Sequence, residues 1–164
     1  MYNLKINFKS QIKNWNDFFW LSVIFISVII FLYYRDGNNI GFIAFYIFIA
    51  IQFLFTIYLQ IAYYIKNCDE EFLIKNDRIE KIKKGNIEIY LAADIKKIVI
   101  CKSANMDRWS IPYTTFESFR VARVYLNNGS NFIMTNLLEY DLEVPLQILQ
   151  GVVFERRKGF SFFI

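Results

Sequence analysis

Two long apolar runs occupy the first 65 positions of the chain, and short alternating runs occupy the rest. Residues 18–34, "FFWLSVIFISVIIFLYY", carry no charge, and neither do residues 40–65, "IGFIAFYIFIAIQFLFTIYLQIAYYI". Each is long enough for a helix that crosses a bilayer. The link "RDGNN", residues 35–39, has the Asp, Gly and Asn residues of a tight turn, so the pair reads as a helical hairpin. Before it, "YNLKINFK" alternates Leu4, Ile6 and Phe8 against Asn3, Lys5, Asn7 and Lys9. That period fits a strand, which would need a sheet edge to pair with, or else an interfacial helix frayed at its end.

From residue 67 the period shortens. "EEFLIKNDRIEKIKKGNIEIYLAADIKKIVICK", residues 70–102, predicts four strands separated by an Asn76-Asp77 turn, a Lys84-Gly85-Asn86 turn and an Ala92-Ala93-Asp94 corner. "FRVARVYLNNGSNFIMTNLL", residues 119–138, predicts a hairpin about Asn128-Gly129. Pro145 suits the first turn of a helix whose apolar face would be Leu146, Leu149 and Val153, ending at Gly159, with the cations of "ERRK", residues 155–158, opposing the dipole. The segment "VVFERRKGFSFFI" reads alternatively as a terminal strand, and its apolar end is expected to pack on the domain itself. The predicted organisation is therefore an N-terminal segment, 1–17, a two-helix transmembrane hairpin, 18–66, and a mainly-β domain, 67–164. An antiparallel sheet is expected.

Composition sharpens the membrane reading. Hydrophobic residues make up 55% and aromatics 20%, an excess that falls in the hairpin. Lys5, Lys9 and Lys13 precede the first span and Lys66 follows the second, whereas the link holds only Arg35, so both termini are expected on the cytoplasmic side of a bacterial inner membrane. Trp15, Trp20, Tyr33, Tyr34, Tyr63 and Tyr64 stand at the ends of the spans, where aromatic rings suit the headgroup layer. Within the second span Gln52, Thr56 and Gln60 fall one turn apart on one face. In an antiparallel hairpin Ser27 and Ser22 lie at about their depths. The serines, five residues apart, point about 140° away from each other, so part of the stripe is expected to face another protomer. An alternative is a stripe that lines a water-filled path, although no charged side chain lies in either span to mark an ion route.

The chemistry points away from catalysis. The chain has no histidine, which removes the usual base near neutral pH, the commonest metal ligand and the Ser/His and Cys/His nucleophile pairs. Cys68 and Cys101 are far apart and have no CxxC partner, so neither a zinc site nor a disulfide framework is indicated, and no cofactor is implied. The net charge of +4 accompanies an abundance of Lys, Ile, Asn and Phe and carries little weight for nucleic acid. The acidic run Asp69-Glu70-Glu71 reads as a solvated linker.

"FLIKNDRIEKIKKGNIEIYLAADIKKIVI", with its Asp94-Ile95 strand start, and the Asn-Gly hairpin followed by "FIMTNLL" resemble the bacterial PH-like (YcxB-like) domain over about residues 70–164. Residues 103–118 and the aromatic tail depart from that pattern. The resemblance implies a seven-stranded, strongly bent antiparallel sheet or barrel closed by a C-terminal helix. It also implies that Arg78, Lys81, Lys83 and Lys84, near the first strand turn, are candidate contacts for anionic lipid or a partner, although a solvated lysine-rich hairpin, diluted by Glu80 and Glu88, is the ordinary explanation. The expected function is non-enzymatic: a protein-interaction or regulatory module, by analogy an immunity or accessory factor, held at the lipid bilayer as a monomer or homo-oligomer. The alternative is a ligand-gated membrane effector of a defence pathway that oligomerises and permeabilises the bilayer.

Overall fold

The computed structural model describes residues 1–36, 40–108 and 112–159, so the Gly37–Asn39 link and the apolar tail, residues 160–164, lie outside the described residues. In chain order the elements are β1 (Tyr2–Lys5), α1 (Phe8–Asp36), α2 (Ile40–Asn67), β2 (Glu70–Ile74), β3 (Arg78–Lys83), β4 (Asn86–Leu91), β5 (Ile95–Lys102), α3 (Ala104–Arg108), β6 (Val121–Leu126), β7 (Asn131–Thr135), α4 (Glu143–Leu146) and β8 (Phe154–Lys158). They form two four-stranded sheets, ordered β1-β2-β3-β4 and β7-β6-β5-β8. The helical hairpin is thus the connection between two paired neighbours, β1 and β2, whose register runs from Tyr2 opposite Ile74 to Lys5 opposite Glu71.

The N-terminal alternation holds for one turn less than its length suggests. Leu4 is buried, but the strand stops at Lys5 and Phe8 already begins a helix, fully out in solvent. Asn7 is the reason: its Oδ1 accepts from the Ser10 backbone N at 2.8 Å, and Ser10 Oγ accepts from the Asn7 N at 3.2 Å. Such a reciprocal cap satisfies two donors that a helix start otherwise leaves unpaired.

Three layers follow from the strand alternation. Phe72, Ile74, Ile79, Ile98, Ile100, Val124 and Met134 fill the space between the sheets. The opposite face of the second sheet presents Val99, Cys101 and Val121, with Ile133 beside them, and these pack against Leu59 and Tyr63 of α2. The second sheet is therefore the middle layer, and this is why β5 carries the unbroken apolar run Ile98, Val99, Ile100 and Cys101, buried on both faces.

Two expectations for the C-terminal third are corrected. The helix opened by Pro145 ends at Leu146, and residues 154–158 form a strand that pairs parallel with β5, Ile98 opposite Phe154 through Lys102 opposite Lys158. The second sheet is consequently mixed, and the described strands number eight in two sheets, not seven in one bent antiparallel sheet. Gly151, at φ 77, lies in the turn between α4 and β8, where its left-handed geometry redirects the chain toward β5. The cations of "ERRK" accordingly cap no helix. Arg156 pairs with Glu143 at 2.7 Å and Lys158 with Asp107 at 2.8 Å, tying β8 to α4 and α3.

Two of the helices, α1 and α2, are long and apolar enough to cross a membrane, over Phe18–Arg35 and Ile43–Asn67. A Cβ placed on Gly151 meets nothing within 4 Å, so the effect of Gly151→Ala is purely conformational. The substitution should lower the stability of the purified protein by about 1 kcal/mol, read as an earlier midpoint in urea with an unchanged slope.

Candidate functional site

The polar stripe of α2 is turned toward the β domain. Thr56 Oγ1 lies 2.6 Å from Thr115 Oγ1, and Thr115 Oγ1 also donates to the Gln52 carbonyl at 3.3 Å. Gln60 Nε2 donates to Gln11 Oε1 of α1 at 2.7 Å. Gln52 and Thr56 are buried, and the Gln52 Oε1 atom is enclosed with no hydrogen-bond partner. Ser22 and Ser27 take no part. Their hydroxyls donate back along α1, to Phe18 O at 2.6 Å and Val23 O at 2.8 Å. Ser22 and Ser27 are therefore not partners of the stripe within this chain: Thr115 meets Thr56, and the facing helix meets Gln60 through Gln11.

Lower down, Asn67 closes the junction between helix and sheet. Its side chain is fully buried; Oδ1 accepts from the Thr135 N at 2.9 Å, and Nδ2 donates to Ile133 O at 3.0 Å and to Glu70 Oε2 at 2.8 Å. An amide fits because β7 offers one donor and one acceptor where α2 ends, and Asn carries both. Nothing in the sequence marks Asn67, which falls at the helix end like any polar terminator. Tyr63, one turn earlier, is at 0% exposure and meets Phe119 edge-on at 5.1 Å, so the expectation that it reaches a headgroup layer is corrected. Trp15, Trp20, Tyr33, Tyr34 and Tyr64 do remain exposed.

The basic residues near the β3–β4 turn do not form a free patch. Lys81 and Lys83 both reach Glu70 Oε1, at 3.0 and 3.1 Å, Lys84 reaches Asp69 at 3.7 Å, and Arg78 bonds Glu80 at 2.7 Å. Strand alternation also separates them, since Lys81 follows the inward Ile79 and sits 5.9 Å over the Phe132 ring whereas Arg78 lies on the other face. The acidic run is their counterpart and not a solvated linker: Glu71 accepts from Asn3 Nδ2 at 2.8 Å and faces Lys5 at 3.6 Å. Burial pushes the Glu70 carboxyl up, but hydrogen bonds from Lys81, Lys83 and Asn67 outweigh it and hold the group below the usual glutamate range.

A different surface is open. β4 ends its sheet, and Ile87, Ile89 and Leu91 stand on its outer face at 61%, 57% and 48% exposure. Its inner face is occupied: Tyr90 stacks on Phe132 at 4.8 Å and donates to Glu88 at 2.6 Å, and burial, with that bond, raises the phenol to about 12. Beside it lies a hollow of about 380 Å³ lined by Ile89, Tyr90, Asp94, Leu126, Asn127 and Asn128. Sequence reasoning passed over this row because its alternation reads as an ordinary half-buried strand.

The PH domain family matches this chain over residues 3–144, from β1 through the hairpin to α4. The chain belongs to the PH domain family. No curated protein and no solved structure matches it. In this PH domain the match begins at β1, so the helical hairpin lies within the matched stretch and not ahead of it. A PH-like domain is compatible with binding protein or lipid.

Asn67→Ala should cost about 1–3 kcal/mol, because it strands the Thr135 N and Ile133 O away from water, and a denaturation midpoint measures it. The depressed Glu70 pKa has a pH consequence of definite sign. Its contribution is present above about 4.5, the ordinary value, and is lost as pH falls through the lower folded value. Acid unfolding of Glu70→Gln followed by circular dichroism should show a shallower loss of stability over that window than the parent.

Proposed function

We propose that the protein is a non-enzymatic, membrane-tethered PH domain that holds a protein-interaction surface close to the bilayer. The observation that carries this reading is that the hairpin is built into the PH domain, between β1 and β2, and is bonded to its second sheet through Asn67. A tether of this kind makes lipid-headgroup recognition unnecessary, which accords with the internal pairing of Arg78, Lys81, Lys83 and Lys84. The surface offered is the β4 edge, where an extended segment of a partner would add a strand and lay side chains on Ile87, Ile89 and Leu91.

The permeabilising reading has less to support it, because Thr56 meets Thr115 and Gln60 meets Gln11, which leaves only the Gln52 side chain of the stripe without a partner among the described residues. We place the protein at a bacterial inner membrane with both termini in the cytoplasm, on the strength of the Lys residues that flank the spans.

Two measurements test this reading. Changing Arg78, Lys83 and Lys84 together to Gln should leave the protein in the membrane pellet after alkaline carbonate extraction; release of the variant would overturn the helical tether. A photoreactive residue at position 89 should give a discrete protein adduct in intact cells that is lost when Ile87 and Leu91 are changed to Lys, with none from position 128 on the β6–β7 turn. Equal labelling from both positions, or none from position 89, would overturn the β4 assignment.

A further inference from the structure

The segment 112–119 is the one that reaches furthest along α2 toward the Gly37–Asn39 link among the described contacts, through Thr115 to the Gln52 carbonyl and the Thr56 hydroxyl. Its geometry sets a length. From Ile40 to Thr56 α2 rises about 24 Å, and from Phe18, which meets Phe53 at 5.1 Å, to Asp36 α1 rises about 27 Å. A hydrocarbon core is about 30 Å thick. Because Thr115 also meets the Gln52 carbonyl, only about 18 Å beyond Ile40, the part of the hairpin clear of the β domain is shorter than the core it has to cross, and the level of Thr115 falls at the edge of the bilayer or just within it.

The side chains at that level are those an interface takes. Phe116 meets Phe55 at 5.6 Å, Phe55 meets Tyr58 at 6.2 Å, and Trp15 meets Phe18 at 4.9 Å. Tyr113 stands out from the segment at 61% exposure. The backbone beneath it is held: Glu117 accepts from the Tyr113 N at 2.8 Å and from Asn105 Nδ2 at 2.9 Å. A held backbone thus presents an exposed phenol three residues from Phe116, which joins the segment to the aromatic pair of α2.

We propose that the segment 112–119 is a lipid-contacting element of the PH domain, with Tyr113 in the headgroup layer on the domain side of the bilayer. This rests on the membrane-tether reading and adds to it a second point of contact, which fixes the tilt and rotation of the domain. The occupant is the interfacial layer of the bilayer, because Phe116 joins the segment to the Phe55–Tyr58 pair of α2 and the short arm brings this level to the bilayer.

Depth measurement by spin labelling tests it in vesicles of mixed zwitterionic and anionic phospholipid. Cys68→Ser removes the exposed thiol and Cys101 is fully buried, so single labels can be placed at Tyr113→Cys, Ile30→Cys and Asn128→Cys. The ratio of oxygen to nickel-chelate accessibility should be high at 30, low at 128 and intermediate at 113. An aqueous value at 113 with a lipid value at 30 would overturn the interfacial segment and leave the tether standing. Aqueous values at both would overturn the tether and this inference with it, and a value at 113 equal to that at 30 would place the segment inside the hydrocarbon and overturn the inference alone.

Discussion

One helix has to satisfy two environments at once, and the rest of the structure is arranged around that demand. The second half of α2 gives one face to the middle sheet, through Leu59 and Tyr63, while Ile57, Ile61 and Ile65 remain on the outside. Asn67 decides where the first environment ends. Its amide binds both strand groups of β7 and the Glu70 side chain, so the helix is anchored to the sheet at its last residue. A buried amide that finds all its partners is worth more as a position marker than as a source of stability.

Electrostatics in this domain serve cohesion. Glu70 gathers Lys81 and Lys83, and at the end of β5 Lys102 bridges Asp107 and Glu143, which in turn bind Lys158 and Arg156. Partly buried charges of this sort are tolerated because each has a partner within hydrogen-bond distance. The net charge of +4 says little about a ligand when so many of its cations face an acid.

The strands from β2 to β7 were legible in the sequence, since their alternation and their turns at Asn76, Gly85 and Gly129 are local signals. The two long helices were legible for the same reason. What was left open or missed was long-range. The choice between helix and terminal strand for residues 154–158 depends on β5 having a vacant edge, and whether Tyr63 meets water depends on Phe119, more than fifty residues away. The stripe of Gln52, Thr56 and Gln60 was visible, but its partner Thr115 lies in a segment with no regular period. The same limit hid Asn67, whose role exists only once β7 is beside it.

Pairing between β1 and β2 closes the two ends of the helical hairpin on each other, from Tyr2–Ile74 to Lys5–Glu71. Strands that share a ladder occupy the same aqueous compartment, so the chain between them can traverse a bilayer an even number of times and never once. A sheet thereby enforces topological parity on the helices it brackets, whatever the distribution of charge at their ends.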